Sequence, residues 1–277
     1  MKDIPLISIV TPSFNQANFI GEALGSVRGQ NYENWEHLVI DGRSSDGTID
    51  LLQYETATSG QCKLSWVSER DTGQSEALNK GFRRATGEII GWLNSDDRYR
   101  PDCFEHVVKA FRENPNADVV YGDYSMVDEE GRVLKIRREI EFNAFILRYH
   151  HVLYIPTTAT FFRSRIFAEG NWLNERLQYA MDLEFFIRLS DRGYRFKHVP
   201  HLLADFRMQP DSKTCRTPDQ QRMEHRQVVC AAARVLRHTR YPGLRTFVLT
   251  CLCLIARVRR YSEKLFRGYY WEHLRSE

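Results

Sequence analysis

The feature that most constrains the fold is a short apolar run that recurs four times in the first hundred residues, each time halted by a polar cluster. Leu6-Ile7-Ser8-Ile9-Val10 stops at Thr11-Pro12-Ser13, and Leu38-Val39-Ile40 stops at Asp41-Gly42. Leu64-Ser65-Trp66-Val67 leads into Glu69 to Asp71, and Glu88-Ile89-Ile90-Gly91-Trp92-Leu93 into Asn94-Ser95-Asp96-Asp97. Continuously apolar strands, rather than alternating ones, belong to parallel sheets covered by helices on both faces. The intervening segments agree. Phe19, Ala23, Leu24 and Val27 fall at helical spacing within residues 17–28, Asp46-Gly47-Thr48 opens a second helix with Asp50 near its positive end, and residues 74–84 form a third. A helix near 102–113 and a strand at Asp118-Val119-Val120-Tyr121 continue the alternation. Ligands of such sheets bind beyond the carboxyl ends of the strands, so the polar clusters are the candidate site.

After about residue 123 the rhythm changes. Val127 to Leu134 reads as a hairpin turning through Glu129-Glu130-Gly131, Thr158 to Phe162 as a strand, and Asp182 to Arg192 as a helix with Leu183, Phe186, Ile187 and Leu189 on one face. Short strands at Phe196–Val199 and Leu202–Phe206 precede helices at 217–238 and 244–267. At about 150 residues per domain, 277 residues make one large or two small domains. The net charge is +3, but Arg234 to Glu277 carries ten Lys/Arg against three Asp/Glu, or +7, leaving −4 on the body. That split excludes a nucleic-acid-binding field over the whole chain and points to a tail that meets something anionic. Cys62, Cys103, Cys215, Cys230, Cys251 and Cys253 include no C-x-x-C pair and no zinc spacing, so they read as reduced thiols. The N-terminus runs straight into a strand, so the reading expects no signal peptide and a cytosolic catalytic face.

Four acids converge at one predicted sheet edge: Asp41, Asp71, Asp96 and Asp97. Each alone suits a cap or a turn. Together they repel, and a hard cation such as Mg²⁺ or Mn²⁺ holding a ligand's phosphates resolves the repulsion. Asp182, in Ala180-Met181-Asp182-Leu183-Glu184, either stabilises a helix N-terminus or, in an apolar setting that raises its pKa, serves as a general base.

These pieces, in this order, resemble the family 2 glycosyltransferases of the GT-A fold. The resemblance rests on Ser8-Ile9-Val10-Thr11-Pro12-Ser13-Phe14-Asn15, Gln30-Asn31-Tyr32, and Val39-Ile40-Asp41-Gly42-Arg43-Ser44-Ser45-Asp46-Gly47-Thr48. It continues in Asp71-Thr72-Gly73-Gln74-Ser75-Glu76-Ala77-Leu78-Asn79-Lys80-Gly81 and in Ala85-Thr86-Gly87-Glu88 through Asp97, and more weakly through Met181-Asp182 to Phe206-Arg207. It covers residues 5–214 and implies an α/β fold with a Rossmann-like, mostly parallel sheet. Residues 1–214 would be a catalytic domain with a nucleotide-sugar half (1–100) and an acceptor half (101–214), followed by a helical basic extension (215–277). The nearest relatives by this likeness build bacterial exopolysaccharide, lipopolysaccharide or glycolipid sugars.

The resemblance assigns roles. Thr11, Pro12, Ser13, Asp41 and Asp71 would bind a nucleoside-diphosphate sugar, supported by Asn79, Asn94 and Ser95. Asp96 and Asp97 would hold Mn²⁺ or Mg²⁺, and Asp182 would be the catalytic base of an inverting transfer. UDP is the expected nucleotide, with GDP and dTDP as alternatives. Two positions depart from the family pattern: Asn94 replaces the first acid of Asp-x-Asp, and Gln209 stands where relatives place a His. Both offer neutral oxygens, which predicts weaker metal affinity. A non-catalytic sugar-nucleotide-binding or scaffold protein is the rival reading, opposed by the presence of Asp96 and Asp182. A sugar nucleotidyltransferase needs a Gly-rich, Arg-containing loop after the first strand, and a dinucleotide oxidoreductase needs G-x-G-x-x-G there; Thr11-Pro12-Ser13-Phe14-Asn15 is neither.

The acceptor side is expected within residues 140–180, where Phe142, Phe145, Tyr149, His150, His151, Tyr154 and Trp172 could either stack on sugar rings or pack the core. His198 and His201 read as structural strand-end residues. In the tail, Leu244, Phe247, Val248, Cys251, Leu252, Ile255 and Val258 recur at helical spacing among arginines. That suits either a terminal helix packed on the core or one lying on an anionic membrane, which places the protein at the inner face of the cell membrane.

Overall fold

The computed structural model describes residues 4–58, 63–150, 152–209, 218–233 and 242–270. Cys62, His151, Cys215, residues 210–217 and 234–241, and the chain end from 271 lie outside the described residues. The first half forms β1 (Ile7–Ser13), α1 (Ile20–Arg28), β2 (Trp35–Asp41), α2 (Thr48–Thr58), β3 (Leu64–Ser68), α3 (Gln74–Arg84) and β4 (Ile89–Trp92). These strands pair in parallel in the order β3-β2-β1-β4, as their continuous apolar character requires. β1 leads outward to β2 on one side and neighbours β4 on the other, so the strand order reverses between β1 and β4. That reversal opens a crevice at their carboxyl ends, where Asn94–Asp97 leave β4.

The second half adds β5 (Arg98–Tyr99), α4 (Cys103–Glu113), β6 (Val119–Val127), β7 (Val133–Arg137), α5 (Ala144–Tyr149), a 3₁₀ turn (Thr157–Ala159), β8 (Thr160–Arg163), α6 (Arg165–Ala168), α7 (Met181–Asp191) and β9 (Phe196–Arg207). They extend the sheet as β4-β8-β6-β9-β5, with β7 beside β6. Here β8 runs antiparallel to both β4 and β6, while β6 and β9 are parallel. The two short strands expected at 196–199 and 202–206 are one strand. The irregularity appears instead as register shifts opposite Gly122 and Asp123, which absorb the solvent-facing Pro200-His201 step without ending the pairing.

The larger core cluster lies between this mixed half and helices α5 and α7, and it contains the aromatics considered for sugar stacking. Tyr154 is fully buried, Phe142 stacks on Phe196 with centroids 4.3 Å apart, and Phe145 meets Tyr149 at 5.0 Å. Trp172 is covered by Phe167 and by the Arg83 guanidinium, 4.7 Å above its ring. These side chains pack the core. His198 bonds Asp123 (2.8 Å) inside the sheet, and His201 stacks on His106 at 3.9 Å. Among the described residues Cys103, Cys230, Cys251 and Cys253 are free thiols.

Two further helices follow, α8 (Pro218–Ala232) and α9 (Pro242–Phe266). α9 buries Leu249, Ala256, Arg260 and Lys264, and packs on α5. Its two buried cations converge on Glu139, which is fully buried: Arg260 at 2.6 Å and Lys264 at 3.2 Å. The opposite face exposes Phe247, Leu254, Ile255, Val258, Tyr261 and Leu265. α9 is thus core-packed on one face and apolar on the other. No helix among the described residues is long and apolar enough to cross a membrane.

A buried pair that loses one member leaves an uncompensated charge, which costs about 3–5 kcal/mol. Glu139→Leu is therefore expected to lower stability in urea unfolding by about that amount, and Glu139→Leu/Arg260→Leu to recover part of the loss.

Candidate active site

The loops after β1 and β2 are interlocked. Asn15 (φ 53°) and Arg43 (φ 67°) both adopt left-handed backbone. The Asn15 N–H donates to Ser44 Oγ (2.7 Å), and the Ser45 N–H donates to Asn15 Oδ1 (2.9 Å). Asp46 accepts from the Ala17 and Thr48 N–H groups. Strained residues cross-braced in this way are a recurrent mark of ligand loops.

Asp41 ends β2, wholly buried, and accepts from the Ser44 N–H (2.9 Å), Ser44 Oγ (2.5 Å) and Ser68 Oγ (2.7 Å). Asp71 lies against the next residue: a methyl group on Gly42 would fall 2.7 Å from Asp71 Oδ2, so a side chain there would push the Asp71 carboxylate aside. Burial raises the Asp71 pKa, against the Gly73 N–H it accepts and the nearby Lys80 ammonium. Thr11 and Pro12 are buried in β1, and Thr11 Oγ1 bonds His37 Nε2 (2.8 Å). Burial drives His37 down to about 3, so the pair is neutral. Ser13 Oγ, by contrast, is buried with no partner among the described residues.

At the end of β4 the two adjacent acids separate. Asp97 turns inward. Its Oδ1 accepts from the Arg207 N–H (2.9 Å), and its Oδ2 accepts from Thr158 Oγ1 and from Asn94 Nδ2 (3.0 Å). Burial, then the neighbouring Asp96 charge, raise it to about 8. Asp96 turns outward. Its Oδ2 accepts from Gln209 Nε2 (2.6 Å), its backbone carbonyl accepts from Arg207 Nε (2.9 Å), and its Oδ1 takes no bond from another described residue. Asn94 Oδ1 is already occupied by Gln74 Nε2 (2.8 Å) and Trp92 Nε1 (2.9 Å), and Ser95 is buried beside it. Asn94 and Asp97 are thus engaged within the protein, and the partly exposed Asp96, bonded to the buried Gln209, is the donor left facing the strand ends.

Asn79 points away from that edge. Its Nδ2 donates to the Leu173 carbonyl (3.0 Å) and Glu175 Oε1 (2.8 Å), and its Oδ1 accepts from the Leu173 N–H (2.9 Å). Every bond it makes holds the 171–177 loop against α3. That loop feeds Asp182 in the first turn of α7. Asp182 is half-buried, accepts from the Leu183 N–H (2.7 Å), and has a pKa raised by burial and by Glu224, opposed by His225. Glu224, on α8, escaped sequence reasoning because it lies in a polar helix with no motif spacing. Only the fold reveals that it accepts from three consecutive backbone N–H groups just before Asp182.

A half-parallel, half-mixed sheet with acids at the β1–β4 crevice defines the class: this is a GT-A fold. The sequence profile of Glycosyl transferase family 2 matches residues 8–170, and the chain belongs to that family. It is 26% identical to the chondroitin synthase of Escherichia coli over 236 residues, 83% of this chain and 33% of that protein. The chain spans about a fifth to a third of the length of the first curated relatives it matches. Among solved structures it resembles S. aureus TarS 1-349 in complex with UDP-GlcNAc, with a TM-score of 0.65, 16% identity and coverage of 95% of this chain and 75% of that one. It also resembles the mannosyltransferase PcManGT of Pyrobaculum calidifontis in complex with GDP-Man and Mn²⁺, with a TM-score of 0.64, 19% identity and coverage of 91% and 70%.

An Asp raised from about 4 in the unfolded chain to about 8 when folded takes up a proton on folding across that window. Its contribution to stability is complete below about pH 4 and falls as the pH rises through 8. Stability against urea is expected to decline between pH 5 and 8, and Asp97→Asn to flatten that decline.

Proposed function

We propose that the chain is an inverting glycosyltransferase that moves a sugar from a nucleoside-diphosphate sugar, a UDP-sugar first, to a hydroxyl of a glycan or lipid-linked acceptor in surface polysaccharide or glycolipid synthesis. One observation carries the reading: Asp41, Asp71 and Asp96 follow the carboxyl ends of the parallel strands β2, β3 and β4, while a separate half-buried carboxylate, Asp182, opens α7 in the second half of the chain. The names of the chondroitin synthase relative and of the UDP-GlcNAc and GDP-Man complexes are in accord with it.

In this scheme Asp41 and Asp71 read base and ribose, and Ser13 Oγ donates to the nucleotide. Asp96 Oδ1 and Gln209 Oε1 would hold a divalent cation, Mn²⁺ or Mg²⁺. One carboxylate and one amide oxygen suit a cation that arrives with a diphosphate, since such ions keep waters and phosphate oxygens as their remaining ligands. When bound, the cation offsets the negative charge that builds on the leaving diphosphate. Asp182, whose pKa is raised by burial, accepts the proton of the acceptor hydroxyl. The acceptor oxygen bonds to the anomeric carbon, the carbon–phosphate-oxygen bond breaks, and its electron pair leaves with the diphosphate. One displacement inverts the anomeric centre, and most of the rate comes from positioning.

The reading extends to location. The outer face of α9 joins exposed Phe247, Leu254, Val258 and Tyr261 to exposed Arg257 and Arg259. Apolar side chains bordered by arginines complement an anionic lipid surface, which supports a peripheral site on the inner face of the membrane.

Product NMR tests the reaction: the expected anomeric configuration is opposite to the donor's, with transfer lost in Asp182→Asn and donor-and-metal binding lost in Asp96→Ala. A retained configuration contradicts the scheme. For the membrane face, Leu254→Glu/Val258→Glu is expected to weaken co-sedimentation with phosphatidylglycerol vesicles by about tenfold or more, the loss of roughly one buried side chain's transfer energy. Unchanged sedimentation contradicts the docking.

A further inference from the structure

Segment 171–180 carries the chain from α6 to Asp182 and is gripped from two sides. α3 grips its first part. Asn79 bonds Leu173 and Glu175, and Ser75 Oγ donates to the Leu177 carbonyl (3.3 Å). At Gly73, the left-handed residue (φ 143°) that opens α3, an added methyl group would lie 2.8 Å from Gln178 Oε1. α8 grips its last part. Glu224 Oε1 accepts from the Gln178 N–H (2.9 Å), and Oε2 accepts from the Tyr179 (2.5 Å) and Ala180 (2.8 Å) N–H groups. Gln220 Oε1, one turn earlier on α8, accepts from Tyr179 Oη (2.8 Å).

Three consecutive N–H groups aimed at one carboxylate are costly to arrange by chance. Backbone donors ahead of a helix end in other partners or water, and a charged acceptor makes each bond shorter and stronger than a neutral one. We infer that Glu224 is a positioning residue for the reaction: it fixes the backbone of 178–180 and thereby aims Asp182 at the acceptor, so that α8 belongs to the catalytic unit. The inference rests on the reading of Asp182 as the base. It explains why the strap spans from the donor side to α8. Gln74 beside Gly73 bonds Asn94, so the chain of contacts runs from the Asp96 edge through α3 and the strap to Glu224. Asp182 is faced by His225 and Glu224 from α8, and Glu224 acts on its charge as well as on its position.

The test uses the full chain in Glu224→Ala and Glu224→Gln forms beside Asp182→Asn. It reads kcat, KM, donor affinity by calorimetry, Tm, and the acid limb of the kcat–pH profile. The expected result for Glu224→Ala is a kcat lowered tenfold or more with donor affinity within twofold of wild type. Because the Glu224 charge raises the Asp182 pKa, its removal moves the acid limb to lower pH. Glu224→Gln retains one accepting oxygen and falls between the two; it also carries the test if the alanine form does not fold. A wild-type kcat in both variants overturns the inference. So does a loss of kcat, donor affinity and Tm together with an unmoved acid limb, which is the mark of a merely structural residue. A wild-type kcat in Asp182→Asn overturns instead the assignment of the base, whereas an inactive Asp182→Asn beside a fully active Glu224→Ala removes only the positioning role.

Discussion

The site depends on one buried carboxylate. Asp97 leaves β4 and is met by the Arg207 N–H at the end of β9, by Thr158 before β8 and by Asn94 on its own turn. Those bonds join the parallel half of the sheet to the mixed half. They also decide the fate of Asp96. With Asp97 turned in, its neighbour can only turn out, into the crevice, where Gln209 and the backbone-bound Arg207 hold it. Two adjacent carboxylates cannot both stay ionised in a poorly solvated place, and sending them to opposite sides of the strand end relieves the repulsion. Arg207 is itself pinned by Glu22 (2.6 Å) and lies under Phe19, so α1 shares in the same knot.

In the proposed function the two catalytic tasks are divided between the halves joined at that knot. The loops after β1 and β2, proposed as part of the nucleotide side with the loop after β3, are cross-braced through Asn15, Ser44 and Asp46. Asp182 comes from α7 in the mixed half, and the 171–180 strap is the physical link between the two. Preorganisation of this kind suits the proposed displacement, in which positioning contributes most of the rate. Little of the machinery is left to flexible side chains: Asn79, Asn94 and Asp97 spend all or nearly all of their bonding capacity on the protein itself.

Much of this was legible in the chain. Apolar runs ending near Asp41, Asp71 and Asn94 pointed to a parallel sheet and to the edge those residues share, since period and burial are local properties. Asp182 was legible because it opens a helix whose apolar face was unmistakable. The division of labour between Asp96 and Asp97 was not, because both have the same chemistry and only β9, more than a hundred residues away, supplies the donors that select one. The partners of Asn79 were hidden in the same way, because Leu173 and Glu175 come from the second half. The aromatics at 142–172 could by sequence stack on sugar rings or pack the core, and stacked pairs such as Phe142 with Phe196 show them in the core. Glu224 had no signal at all, since a carboxylate in a polar helix acquires meaning only from the three N–H groups the fold brings to it.

The outward Asp96 and inward Asp97 are the centre of this description, and a crystal grown with UDP-sugar and Mn²⁺ tests it most directly. Data collected at the manganese edge are expected to show an anomalous peak in ligating contact with the Asp96 carboxylate and with the diphosphate, while Asp97 keeps its bonds to Arg207 and Thr158. A peak ligated by Asp97, or a nucleotide bound with no contact between its cation and Asp96, would contradict it.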